Sequence, residues 1–255
     1  MALPRFFSPE RISAGQVIEL PAVAAHHASR VLRLRQSDEL ILFNGNGGEY
    51  RATIELINKS GVTVVVEKYL DIERESRLDI TLAQTVCASE KMDWIVQKGV
   101  ELGVTRIQPL DTKRGVVKLS DERAEKRIRH WQQVIIAACE QCGRNRVPPM
   151  MPLISISRWL GNQVSERKNS SSDYPTGSCF MLSPAAKKGL RDFPASLAAA
   201  PLTLLVGPEG GFTAEEEAAA QVAGFVPLRM GERILRTETA ALAAVAAMQA
   251  LWGDY

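Results

Sequence analysis

The residues with the most chemical content lie in Val206-Gly207-Pro208-Glu209-Gly210-Gly211-Phe212-Thr213, directly after the apolar run Leu202–Leu205. A glycine-rich turn between a strand and a helix suggests a phosphate site, which needs free backbone N–H groups, an open helix N-terminus and usually a lysine. None of the three is present. Pro208 has no N–H to donate, and Glu209 places an anion inside the turn. Thr213 and Glu216 have the spacing of a capping box, so they and the neighbouring acids Glu215 and Glu217 occupy the positive end of the helix. The glycines allow close backbone approach. The ligand they imply is neutral, rich in donors, or cationic.

Two further turns follow apolar strands in the same way. Leu182-Ser183-Pro184 is one, and Met230-Gly231-Glu232-Arg233-Ile234-Leu235-Arg236-Thr237-Glu238-Thr239 is the other. Ligands of parallel sheets collect beyond the carboxyl ends of the strands, so the three turns together predict one pocket. Cys139-Glu140-Gln141-Cys142 has redox spacing, but it lies within a helical stretch with no second pair to complete a metal site. A buried structural role for the four cysteines is the expectation, and no metal is expected. His26, His27 and His130 lie away from the turns and read as structural or surface residues.

The elements that position these residues fall into two groups. Residues 16 to 69 read as short strands interrupted by one helical piece at Ala22–Leu32. Glu39–Phe43, Tyr50–Ile57 and Val62–Tyr69 are strands, the last two joined as a hairpin. A charged run, Asp71 to Arg77, marks a boundary, giving a small β-barrel-like domain over 1–72 and a second domain over 73–255. From Leu78 onward strands alternate with helices, which implies a parallel sheet. The spacing predicts strands at Leu78–Gln84, Thr105–Leu110, Met151–Ile156, Cys179–Leu182, Leu202–Val206 and Phe225–Met230. It predicts helices at Glu90–Leu102, from Ser120 to Cys142, from Thr213, and from Glu238 to Trp252. Asn162–Gly177 is polar and reads as a surface loop. The last helix is apolar nearly all round, so it is covered either within the chain or by a second subunit.

Net charge is only +2, from 31 basic and 29 acidic residues in a chain of 255, which argues against a histone-like partner. The basic residues nevertheless cluster, at Arg30, Arg33 and Arg35, at Lys113, Arg114 and Lys118, and around Arg127 and Arg144. They are either solvated faces or the footprint of an anionic partner. No apolar run reaches bilayer length and the N-terminus carries no signal pattern, so a cytoplasmic protein without membrane contact is expected.

The pairing of Gly207-Pro208-Glu209-Gly210-Gly211-Phe212 with Gly231-Glu232-Arg233-Ile234-Leu235-Arg236-Thr237-Glu238-Thr239-Ala240 has a known counterpart. With Glu140-Gln141-Cys142-Gly143-Arg144-Asn145-Arg146, the opening Pro4-Arg5-Phe6-Phe7 and Ser89-Glu90-Lys91-Met92-Asp93, it resembles the ribosomal RNA small-subunit methyltransferase E family over essentially the whole chain. Cys142 stands where a small residue such as Ser is expected. Periodicity alone gives a plain doubly wound sheet. The resemblance implies a SPOUT-type α/β parallel-sheet domain with a trefoil knot, preceded by a small PUA-like β-barrel, in a homodimer. It also implies S-adenosylmethionine as cofactor, N3 of a uridine in 16S rRNA as target, and free rRNA or the small ribosomal subunit as partner. The cofactor carries no phosphate and its sulfonium is cationic, which agrees with the turn chemistry.

Carried over motif by motif, Leu182, Gly207, Glu209, Gly210, Met230, Gly231, Ile234, Leu235, Thr237 and Ala240 are the expected cofactor contacts. Arg144 and Arg236 are the expected cationic stabilisers, with Glu209 a base or an orienting partner, because uridine N3 must lose a proton and the resulting anion needs donors. Arg236 could instead be tied up by Glu232 or Glu238. Arg30, Arg33, Arg35, Lys113, Arg114 and Arg127 are the expected RNA contacts. Two other functions fit the same pattern: ribose 2′-O-methylation by the same knotted domain, and non-catalytic RNA binding by a dimer.

Overall fold

A computed structural model describes residues 3–59, 61–169 and 177–255. The chain divides into two compact units. Met1–Glu75 with Ile136–Val147 form one, and Ser76–Ile135 with Pro148–Tyr255 form the other.

The first unit is a curled, mixed five-stranded sheet. Its strands are β1 (Arg5–Phe7), β2 (Val17–Glu19), β3 (Glu39–Phe43), β4 (Glu49–Ile57) and β5 (Val62–Leu70), in the order β1-β3-β4-β5-β2. Only β1 and β3 run parallel; the other pairs are antiparallel. Alternation along β5 sends Val62, Val64 and Val66 into the core with Leu40, Leu42, Ala52 and Ile54. Two register shifts in the β4–β5 ladder bend the hairpin. The helical piece is α1 (Ala22–His26), continued by a π turn over His27–Val31. It covers the core with Ala24, Ala25 and Ala28. The sequence reading did not find β1, whose three residues are too short for periodicity to register.

Buried ion pairs hold this unit together. Glu49, 4% exposed, pairs with Arg5 at 2.5 Å and Arg74 at 2.9 Å. Asn145 Nδ2 donates to Ile72 O at 2.6 Å, and Arg5 donates to Asn145 Oδ1 at 2.6 Å. Burial by itself raises the Glu49 carboxyl, but hydrogen bonds from Arg74 and Arg5 and their charges outweigh it and leave it below the ordinary 4.5. A depressed folded-state value means that the carboxylate stabilises the unit above the unfolded pKa. That stability is lost as pH falls through the folded value. Unfolding followed by tryptophan-independent circular dichroism should therefore show stability falling below about pH 4.5, with a smaller fall in Glu49→Gln than in the parent.

The second unit is a six-stranded parallel sheet, order β11-β9-β10-β6-β7-β8. Its strands are β6 (Ile80–Thr85), β7 (Arg106–Asp111), β8 (Ile154–Ser155), β9 (Ser178–Leu182), β10 (Leu202–Val206) and β11 (Val226–Leu228). Its helices are α2 (Ser89–Glu101), the part of α3 (Asp121–Cys142) up to Ile135, α4 (Ile156–Asn169), α5 (Ala214–Val222) and α6 (Thr237–Trp252). Leu82, Leu204 and Leu205, all fully buried, show why the central strands read as continuous apolar runs.

The polar loop expected over Asn162–Gly177 is corrected here: α4 runs to Asn169, and residues 170–176 lie outside the described residues. Ile156, Trp159 and Leu160 form a buried stripe at helical spacing, and Trp159 packs on Phe225 with ring centroids 5.6 Å apart. The charged residues further along concealed that stripe. Within the chain α6 buries Ala241, Ala244, Val245 and Met248, so cover by the same chain explains most of its apolar character.

Candidate cofactor pocket

Strands β9, β10 and β11 end side by side, with Leu228 opposite Leu182 and Val206 opposite Gln84 of β6. The turns that leave them enclose a cavity of about 470 Å³. Residues 182–184, 206–212, 228–231 and 233–237 line it with Glu217 and Ala240, all from the second unit.

The glycine-rich turn is held from outside. Arg114 donates to Gly210 O and Phe212 O, each at 3.1 Å. Gly211 N donates back to Pro208 O at 2.9 Å. At Gly207 a side chain would meet the Phe212 ring at 3.0 Å, so glycine is what lets that ring close over the strand end. The helix after the turn is capped as its sequence indicates. Glu216 N donates to Thr213 Oγ1 at 3.2 Å, Thr213 N donates to Glu216 Oε2 at 2.9 Å, and Lys113 N donates to Glu216 Oε1 at 2.8 Å. With those donors spent, the start of α5 offers little to an anion.

The second turn is pinned at its exit. Thr237, at the first position of α6, donates to Gly207 O at 2.8 Å and accepts from Gln84 Nε2 at 3.1 Å, which ties α6 to β10 and β6. Gly231 has φ +89, a left-handed conformation that favours glycine, and a side chain there would meet nothing. The wall on that side is open backbone.

Charge around the pocket is sorted by ion pairs. Lys91 of α2 reaches Glu209 at 2.9 Å and Glu238 at 3.5 Å. The Lys91 hydrogen bond holds the Glu209 carboxyl below its ordinary range, and the same bond raises Lys91. Nearby Cys87 is pushed up to about 12, first by burial and then by the charges of Glu209 and Glu238, so it stays a thiol. Glu232 pairs with Arg229 at 3.1 Å. Both carboxylates that could have occupied Arg236 therefore have other partners. Among the described residues Arg236 makes no ion pair or side-chain hydrogen bond, and its side chain is free at the pocket mouth beside the equally unpaired Arg233.

A family model for an RNA methyltransferase domain matches residues 74–249, and one for an RNA methyltransferase PUA domain matches 23–67. Ribosomal RNA small subunit methyltransferase E of Buchnera aphidicola (Schizaphis graminum strain) is 32% identical over 99% of this chain and 98% of its own. The Bacillus subtilis protein of that name is 30% identical over 96% of each. The chain belongs to this methyltransferase E family. The crystal structure of the Neisseria gonorrhoeae member, bound to S-adenosyl methionine, is 39% identical, covers 100% of both chains and superposes with a TM-score of 0.88. A Legionella pneumophila structure in complex with SAM is 38% identical, again over 100% of both chains, with a TM-score of 0.91. The matched regions, an RNA methyltransferase domain and an RNA methyltransferase PUA domain, fall on the six-stranded parallel sheet and the curled β unit described above.

All ten residues expected to touch the cofactor, Leu182, Gly207, Glu209, Gly210, Met230, Gly231, Ile234, Leu235, Thr237 and Ala240, line this one cavity. Arg236 lines it too. Arg144 does not: it lies in the first unit, 5% exposed, with Nη2 donating to Glu75 Oε2 at 2.5 Å. Removing one member of a buried pair costs about 3–5 kcal/mol. Arg144→Ala should lose that much stability in denaturant unfolding, so its inactivity would not by itself show a part in catalysis.

Of the expected RNA contacts, Arg30, Arg33 and Arg35 are exposed, and Arg33 has φ +55 in a tight loop. Lys113 pairs with Glu215, Arg114 clamps the turn, and half-buried Arg127 donates to Ser89 Oγ. Sequence reasoning missed Lys91 and Gln84. The signal for Lys91 was positional: the first turn of a helix that follows a parallel strand sits at the carboxyl edge of the sheet. Cys139 and Cys142 are free thiols, and burial pushes Cys139 up to about 12. No helix of the described residues is long and apolar enough to cross a membrane.

Proposed function

We propose that the chain transfers a methyl group from S-adenosylmethionine to N3 of a uridine in 16S rRNA, either free or in the small ribosomal subunit. The observation that carries this reading is an unpaired arginine, Arg236, at the mouth of a phosphate-averse glycine pocket. The pocket fits the cofactor on its own chemistry. Open backbone at Gly210 and Gly231 suits close approach to adenine, a capped α5 and ionised Glu209 do not favour phosphate, and fixed negative charge suits a sulfonium. When bound, the cofactor supplies an electrophilic methyl on a positively charged sulfur.

Uridine N3 becomes a nucleophile by releasing its proton to solvent water, which leaves negative charge spread over the ring nitrogen and its two flanking carbonyl oxygens. Arg236 donates to that charge, and a donor fork fits a planar anion better than an ammonium does. Glu209 lines the same cavity, but its lowered basicity fits a fixed orienting anion better than a proton acceptor. The proposal extends to a homodimer, to a cytoplasmic location, and to the trefoil knot of the family.

The test is transfer of labelled methyl from the cofactor to 16S rRNA and to isolated small subunits, followed by digestion to nucleosides. Label in the base of uridine is the expected result; label in ribose, or none, would contradict the assignment. RNA contact by the first unit is tested separately. Arg33→Ala should flatten the salt dependence of RNA affinity by about 0.7, one phosphate contact on a single strand, without altering cofactor affinity.

A further inference from the structure

The charges of α3 are sorted by helix face. Arg123, Lys126, Arg127 and His130 fall at i, i+3, i+4 and i+7 and share one face, while Glu122, Glu125 and Arg129 share the next. Arg129 is neutralised by Glu125 at 3.6 Å. The basic face is different: with Val116, Val117 and Lys118 it lines a separate cleft of about 720 Å³. Two of its members are fixed to α2, Arg127 to Ser89 Oγ and His130 to Asp93 at 3.0 Å, and Lys118 is held by Asp111 at 2.6 Å. That leaves Arg123 and Lys126 on the α3 wall, both exposed and without an ion pair or side-chain hydrogen bond among the described residues. No acidic residue lines the cleft among the described residues, and Val116 stands 66% exposed at its rim.

One loop joins this cleft to the cofactor pocket. Arg114 grips the glycine-rich turn, and Val116, two residues later, begins the cleft wall, so the two edges are no more than about 7 Å of chain apart. The N3–H of a uridine lies on the edge used in base pairing, so a target uridine must be unpaired when it reacts. Its neighbours then present a single-stranded backbone beside the pocket.

We propose that the cleft between residues 116–119 and the basic face of α3 holds phosphates of single-stranded RNA flanking the target nucleotide, with Arg123 and Lys126 as its two mobile cations and Val116 as an apolar rest for a base. The site lies in the second unit and is distinct from the Arg30–Arg35 cluster. It rests on the reading of the chain as an RNA-modifying enzyme.

The test is fluorescence anisotropy of the full chain with a single-stranded RNA dodecamer containing a central uridine, titrated across a series of salt concentrations. In the double variant Arg123→Ala/Lys126→Ala the slope of log affinity against log salt should be shallower by about 1.4, two contacts at about 0.7 each, with cofactor affinity unchanged. The charge-retaining pair Arg123→Lys/Lys126→Arg should restore the slope, and Arg129→Ala, on the neutralised face, should leave it at the parent value. A double variant with the parent slope overturns the cleft while leaving RNA recognition in place. A parent chain with no salt-sensitive affinity for the dodecamer overturns both.

Discussion

Gly210→Val is expected to bind S-adenosylmethionine at least about 100-fold more weakly than the parent chain, a loss of about 2.7 kcal/mol from an affinity near −8 kcal/mol at micromolar Kd. Gly210 is exposed, has no left-handed backbone requirement, and a side chain there would make only ordinary contact with Arg114 at 3.7 Å. The fold should therefore accept valine. The loss is expected on the ligand, because Gly210 lines the cavity and the cofactor must approach its backbone closely. Calorimetry, with a melting curve on the same sample, separates the two effects. Parent-like affinity in a folded Gly210→Val would place the cofactor somewhere else.

The second large effect is on turnover. Arg236→Ala should lower kcat by about 100- to 1,000-fold, as loss of one donor to a developing anion does elsewhere, with little change in melting temperature or cofactor affinity. The stability statement follows from geometry, since the side chain has no protein partner to abandon: Glu232 is paired with Arg229 and Glu238 with Lys91. Arg144→Ala gives the opposite signature, a large loss of stability from the severed Glu75 pair. If Arg236→Ala keeps full kcat, the anion is stabilised by some other group, and Arg233 at the same mouth is the next to remove.

The two variants also show what the sequence could convey. The turn 206–213 announced its own chemistry because capping boxes, prolines and glycines act locally: Thr213 and Glu216 needed only each other. Strand ends were legible for the same reason, and three apolar runs followed by turns were enough to predict one pocket. Partners chosen across the fold were not legible. Arg114 looked like a surface cation, but tertiary packing gives it two carbonyls of the glycine turn. Arg144 was marked by its motif, yet its burial against Glu75, 69 residues away, depends on the sheet of the first unit. The α4 stripe failed to register because Ile156, Trp159 and Leu160 span barely one helical turn before the polar residues begin.

The central claim is base methylation of a uridine in 16S rRNA that depends on the glycine pocket and Arg236. Nucleoside mass spectrometry of 16S rRNA from a strain lacking this gene, complemented in parallel with the parent chain and with Arg236→Ala, tests it most directly. The account predicts that one N3-methyluridine disappears on deletion, returns with the parent chain, and stays absent or strongly reduced with Arg236→Ala. Loss of a ribose methyl instead, or an unchanged nucleoside profile on deletion, would contradict it.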